Sequence, residues 1–345
     1  MDRPNKPAAL SATGGKPDPQ AQVTISQASS LVTAVLPTGD SVEVLLYGAT
    51  VVSWKDASGQ EKLFVSTAAK TDGSKPVRGG IPLVFPVFGA PPKDHATAKL
   101  PQHGFARNSR WEFLGKAGDG ESESGSVKLD FGLSSGQLDQ AWKDKWPYDF
   151  GLVYSVTLSP GKLATSLVVS NEGEEAFECQ VLMHTYFRVN VGFKFLFPAS
   201  SSALSFTLDC LTNLIALQQD IADTKVTGLD SASYIDKMDG AKVKTQAAGG
   251  ISLSALTDCV YTPDTPPSDP IAIVEGGKTT LSISRDNMAD VVVWNPWEEG
   301  AKGMGDFEPK DGWKNMICVE AGSVRSWTKL ERGDVWEGAQ TMTAS

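Results

Sequence analysis

Short apolar runs broken by turn residues dominate the chain from about residue 20 onward. SVEVLLYGATVVSW (41–54), SVKLDFGL (126–133), FECQVLMHTYFRV (177–189) and DVVVWNPW (290–297) are rich in valine, threonine and aromatics. Several alternate apolar with polar positions, the period of a half-buried strand. Two such runs in FGLVYSVTLSPGKLATSLVVSNEG (150–173) flank SPGK at 159–162, which predicts a β-hairpin. Helical spacing with caps is scarce, and the best segments are SSGQLDQAWKDKW (134–146) and the stretch near 196–205. The pattern predicts an all-β, mainly antiparallel protein of two packed sheets with a few short helices. Its chemistry is expected on loops.

Residues 1–20 are rich in proline, glycine and lysine and read as a flexible tail. Residues 21–340 are expected to form a single β-sandwich domain. The segments 115–126 (GKAGDGESESGS) and 262–270 (TPDTPPSDP) read as surface loops within it, because strand-like runs continue on both sides. With 345 residues, 41% of them hydrophobic, there is material for a sizeable core, and large all-β domains reach this length. No stretch approaches 18 apolar residues, and the N-terminus lacks the apolar centre of a secretory signal. No membrane association and a cytoplasmic location are therefore expected. The net charge of -10 argues against a nucleic-acid partner, yet it leaves room for a phosphate held by a few converging arginines. The four cysteines are far apart with no CxxC pair. Reduced thiols are expected, with no zinc site.

Only three histidines are present, His95, His103 and His184. Proton transfer near neutral pH usually recruits histidine. His184 closes the apolar run VLMHTYFRV, where a histidine is more often a satisfied core residue than a catalyst. His103 lies in the polar loop LPQHGFARNSRW, and His95 in PPKDHATAK carries no assigned role. Glu320, in MICVEAGS, reads as the end of an apolar strand, where burial would raise its pKa and make it a better base. The alternative is a structural carboxylate paired with Arg325. Arg78, followed by two glycines, and Arg107 occupy loops where a guanidinium could approach an anion closely. Trp294 and Trp297 flank an Asn-Pro turn and could pack on a pyranose or in the core.

Taken in order, RGGIPLVFPVFG, LPQHGFARNSRWEF, HTYFRV, TDCVY, DVVVWNPW and MICVEAG resemble the hexose-6-phosphate mutarotase branch of the aldose 1-epimerase family. The resemblance spans about residues 40–335. It implies a galactose-mutarotase-like β-supersandwich that needs no metal or other cofactor. It implies His184 as general acid and Glu320 as general base. It also implies that Arg78, Gln102, Arg107 and Asp258 contact a sugar phosphate, with Asp236 in YIDK as a second carboxylate to consider and His103 lining the pocket. The implied partner is a small hexose 6-phosphate, glucose 6-phosphate first, turned over by a monomer. A mutarotase for free aldoses such as galactose and a non-catalytic sugar-phosphate-binding module are the alternatives.

Overall fold

The computed structural model describes residues 20–26, 30–116, 125–189, 193–195, 216–218 and 221–345. The predicted tail apart from Gln20, the helix expected near 196–205, most of the 115–126 loop and Cys210 lie outside those residues.

Every strand pairing among the described residues is antiparallel. Gln22–Ser26, Leu31–Val35, Ser41–Leu45 and Thr50–Lys55 form a four-stranded sheet in chain order. A nine-stranded sheet is built around the predicted hairpin. Phe150–Ser159 and Lys162–Asn171 pair from Phe150 opposite Asn171 to Ser159 opposite Lys162, and Pro160 and Gly161 turn between them. In Lys162–Asn171 the side chains of Leu163, Thr165, Leu167, Val169 and Asn171 are buried and the intervening ones are not, the alternation legible in the sequence.

A second large sheet carries the chemistry. Its order is Lys242–Thr245, Ser233–Asp236, Thr257–Thr262, Asp290–Asn295, Met316–Leu330, Phe177–Met183 and Leu83–Val84, with Tyr186–Arg188 also paired to Met316–Leu330. The central strand Asp290–Asn295 is buried nearly throughout, as its unbroken apolar run requires when both faces are covered. One face joins a core cluster that runs from Val32 to Met342. In that core Phe85, Phe105, Trp146 and Phe150 meet at ring separations of 5.5–5.8 Å, each burial contributing about 1.5–3 kcal/mol. The other face carries a small patch of Val84, Leu182, Val260, Val292 and Val324, and above it lies the cavity described below.

Helix is confined among the described residues to Gln140–Lys143, Trp297–Gly303 and short 3-10 turns. The predicted helix over 134–146 is broken. Ser134 caps a 3-10 turn, Ser135–Gln137, through a reciprocal contact with Gln137, and Leu138 is extended before the helix restarts at Gln140. Trp146 is drawn into the core, so packing overrides the local helical preference. No helix of the described residues is long and apolar enough to cross a membrane.

The Asn-Pro turn after Asp290–Asn295 is locked by one buried side chain. Asn295 Nδ2 donates to the carbonyls of Trp313 and Met316, each at 2.9 Å, and Oδ1 accepts from the Trp297 N–H at 2.7 Å. Asn295→Ala removes all three bonds and leaves two carbonyls and an N–H without them. The expected loss of unfolding free energy is about 2–4 kcal/mol, read from the urea midpoint at unchanged slope.

Candidate active site

A cavity of about 250 Å³ opens over the second large sheet. Arg78, Gln102, His103, Arg107, His184, Asp258 and Glu320 all line it. Strand register explains part of the convergence. Val292 sits opposite Glu320 on one side and Val260 on the other, and Asp258 sits opposite Trp294, so side chains from three neighbouring strands share one face. Asp236 is not in the lining. Its carboxylate accepts from the Met238 and Asp239 N–H groups at 3.0 and 3.2 Å and pairs with Lys244 at 2.8 Å. It therefore caps the 3-10 turn Lys237–Asp239 rather than facing a ligand.

His184 follows Phe177–Met183, and its N–H donates to the Pro82 carbonyl at 3.0 Å. The imidazole stacks on Tyr186 at 4.7 Å and meets the edge of Trp294 at 5.8 Å. Its Nδ1 lies 3.2 Å from Glu320 Oε1. Glu320 stands at the fifth position of the 15-residue strand Met316–Leu330 rather than at a strand end. It is 1% exposed and His184 8%. Arg325 is not its partner: it donates to Ser233 Oγ and Thr262 Oγ1. Glu320 Oε2 is buried with no hydrogen-bond partner among the described residues.

Burial pushes the Glu320 carboxyl well above the usual carboxylate range, and Asp258 adds to the rise while Lys237 and Arg107 oppose it. Burial pushes His184 well below the usual imidazole value, with His103, Arg107, Arg78 and Lys237 acting the same way. A protonated carboxyl beside a neutral imidazole holds the same number of protons as a carboxylate beside an imidazolium. The two forms differ only in the place of one proton; Nδ1 and Oε1 lie 3.2 Å apart, and Nδ1 makes no hydrogen bond among the described residues.

His103 adopts a left-handed backbone at φ 67, uncommon for a residue with a side chain. The following Gly104 (φ 70) lies so close to Phe85 that a Cβ would fall 2.1 Å from the Phe85 carbonyl oxygen. The Gly89 N–H donates to His103 Nδ1 at 3.3 Å, which requires that nitrogen unprotonated. Burial and the cations Arg107, Lys237 and Arg78 push His103 down to about 2, which favours a neutral ring in the cavity wall.

The two arginines differ. Arg78 donates to both oxygens of Asp306, at 3.2 and 3.3 Å, and to Tyr186 OH at 3.2 Å. Burial disfavours its charge, but Tyr186 and Asp306 more than restore it. Arg107, on the 3-10 turn Ala106–Asn108, donates Nη2 to the Gln102 carbonyl at 3.0 Å. Its Nε is buried without a partner among the described residues, and burial lowers its pKa to about 10.

Sequence reasoning did not single out Lys237, whose Nζ lies 3.0 Å from Asp258 Oδ1 and 4.2 Å above the Phe88 ring. Lys237, Phe88, Val292 and Met304 also line the cavity. A lysine in a polar turn carries no local signal of such a place. Of the two tryptophans at the Asn-Pro turn, Trp294 lines the cavity, while Trp297 packs on Trp313 at 4.4 Å. His95 does not line it and stacks on Trp327 at 3.7 Å.

His184, Cys318 and Glu320 present potential donor atoms within 4.8 Å of one another. A metal would need the Cys318 thiolate, and burial and Glu320 push that thiol well up. The donor set therefore suits proton transfer better than metal binding. What the arrangement offers chemically is a buried acid–base pair in a polar cavity whose wall carries three cations.

Comparison with known proteins places this geometry in a family. The family model described as aldose 1-epimerase matches residues 31–343. A protein of Cenchrus ciliaris named "Putative glucose-6-phosphate 1-epimerase" is 30% identical over 309 residues, 88% of this chain and 80% of that protein. An Escherichia coli K12 protein of the same name is 29% identical over 287 residues, 83% of this chain and 81% of that one. Among solved structures, a "putative mutarotase (YeaD)" from Salmonella typhimurium matches with a TM-score of 0.73 at 26% identity, covering 94% of this chain and 93% of that one. A galactose mutarotase-like protein from Clostridium acetobutylicum matches with a TM-score of 0.62 at 15% identity over 95% of this chain and 99% of that one, a likeness of fold. The protein belongs to the aldose 1-epimerase family, and its fold is the antiparallel, galactose mutarotase-like β-sandwich.

Proposed function

We propose that this protein is a hexose-6-phosphate mutarotase that interconverts the α and β anomers of glucose 6-phosphate, with His184 and Glu320 as its acid–base pair. The observation that carries the reading is the 3.2 Å contact between Nδ1 and Oε1 beneath a cavity walled by Arg78, Arg107 and Lys237. The family match over residues 31–343 and the relatives named glucose-6-phosphate 1-epimerase support it.

Mutarotation needs a base at the C1 hydroxyl and an acid at the ring oxygen. Proton transfer within the pair yields a Glu320 carboxylate and a His184 imidazolium. The carboxylate takes the C1–OH proton while the imidazolium donates to O5, and the C1–O5 bond opens. Rotation of the aldehyde end and reclosure return both protons and deliver the other anomer. The neutral form of the pair is the cheaper one to bury. The face of Tyr186, stacked on His184 with an interplanar angle of 12°, favours the imidazolium when it forms.

Arg107 is the stronger of the two arginine candidates for the phosphate, because three of Arg78's nitrogens already hold Asp306 and Tyr186. Arg107→Ala is expected to raise KM for glucose 6-phosphate by about 10–100-fold and KM for free glucose by far less. Equal effects on the two sugars would remove the phosphate from the reading and leave a free-aldose mutarotase. A pure binding module has no use for a buried acid beside a buried base.

A further inference from the structure

One of the three cations in the cavity wall is masked by a carboxylate. Lys237 Nζ pairs with Asp258 Oδ1 at 3.0 Å, with side chains 32% and 27% exposed. A pair this accessible is worth little, about 0–1 kcal/mol in general, so a dianion can compete for the ammonium. The lysine itself is well placed to stay while its partner changes. Asp236 caps the turn that begins with Lys237, Gly240 closes that turn in the left-handed region, and the ammonium rests over the Phe88 ring at 4.2 Å. Asp258 projects from a different element, the strand Thr257–Thr262, opposite Trp294. In the same cavity Arg107 Nε is a buried donor with no acceptor among the described residues.

Resting on the hexose-phosphate reading, we infer that Lys237 and Asp258 exchange partners on binding. The 6-phosphate takes Lys237 together with Arg107, and the released Asp258 carboxylate accepts a hydroxyl of the sugar. The ion pair holds the site until a ligand supplies both an anion and a hydroxyl donor. Selectivity for phosphorylated over free sugar follows, because a free aldose offers nothing to replace Asp258 on the lysine.

The test is calorimetric titration of inorganic phosphate into the wild-type protein, Lys237→Met and Asp258→Asn, each first shown to be folded by circular dichroism. Lys237→Met should weaken phosphate by about 10–100-fold. Asp258→Asn should tighten it by roughly 3–5-fold, because the competing carboxylate is gone. Opposite signs on phosphate establish the exchange. Weakening in both variants marks a static structural pair and overturns it, as does equal affinity in all three proteins. Because phosphate binding is read without turnover, failure of the exchange is distinct from failure of the mutarotase reading, which a wild-type protein unable to accelerate glucose 6-phosphate anomerisation would show.

Discussion

Glu320→Gln is expected to lower kcat for glucose 6-phosphate anomerisation by about 10²–10⁴, the usual contribution of a positioned proton-transfer group, with KM changed by less than about threefold. The amide matches the carboxyl in shape but takes no proton from the C1 hydroxyl. It also carries a stability signature. Burial raises the Glu320 pKa in the folded protein, so the folded state binds more protons than the unfolded one between the unfolded carboxylate pKa and the raised folded one. Stability then falls as pH rises through that window. The variant loses this penalty. Its Tm should equal or exceed that of the wild type, and the margin should widen as pH rises through that window. A slow variant that is no less stable identifies a chemical role. A variant that keeps its rate and loses stability would make Glu320 a structural residue. His184→Asn should lower kcat comparably, and the double variant should cost little beyond either single one, because the two act as a unit.

The other large effect is on the scaffold. Gly80→Ala is expected to cost about 3 kcal/mol or more, enough to leave much of the protein unfolded near its working temperature. Gly80 lies at φ 69, and a Cβ there would fall 2.1 Å from the Val51 carbonyl oxygen. That oxygen accepts the Ile81 N–H at 2.9 Å, and the Gly80 carbonyl accepts the Tyr186 N–H at 2.9 Å. The contact is backbone on backbone, so no side chain can turn aside. The left-handed conformation adds about 1–2 kcal/mol for any residue with a Cβ. Because Gly80 ties the Arg78 loop to Tyr186, the surviving folded fraction should also show raised KM. Urea denaturation measures the first effect; a midpoint within about 0.3 M of the wild type would contradict it.

Much of the architecture was legible because half-buried strands write their pattern locally. The alternation in Lys162–Asn171 and the SPGK turn are both visible in the chain. The helix over 134–146 was misread because its spacing suits a helix while Leu138 and Trp146 are claimed by the core. For the site, His184 and Glu320 taken singly were ambiguous, since an apolar strand hosts core and catalytic groups alike. The ordered loop motifs around them carried the assignment. Arg325 is a reasonable partner for Glu320 by proximity in the chain, but Ser233 and Thr262 hold its guanidinium. Asp236 and Lys237 show the limit most clearly. They are neighbours, yet one caps a turn and the other reaches the cavity, and only the pairing of Ser233–Asp236 with Thr257–Thr262 brings Lys237 to Asp258. Such long-range register leaves no mark in a ten-residue window.

The most direct measurement is the exchange rate between the α and β anomers of glucose 6-phosphate, followed by NMR saturation transfer at catalytic protein concentration. The account predicts a rate that rises linearly with wild-type protein, stays near the spontaneous value with Glu320→Gln, and responds far less when free glucose replaces the phosphorylated sugar. A folded wild-type protein that leaves both sugars exchanging at their spontaneous rates would contradict it.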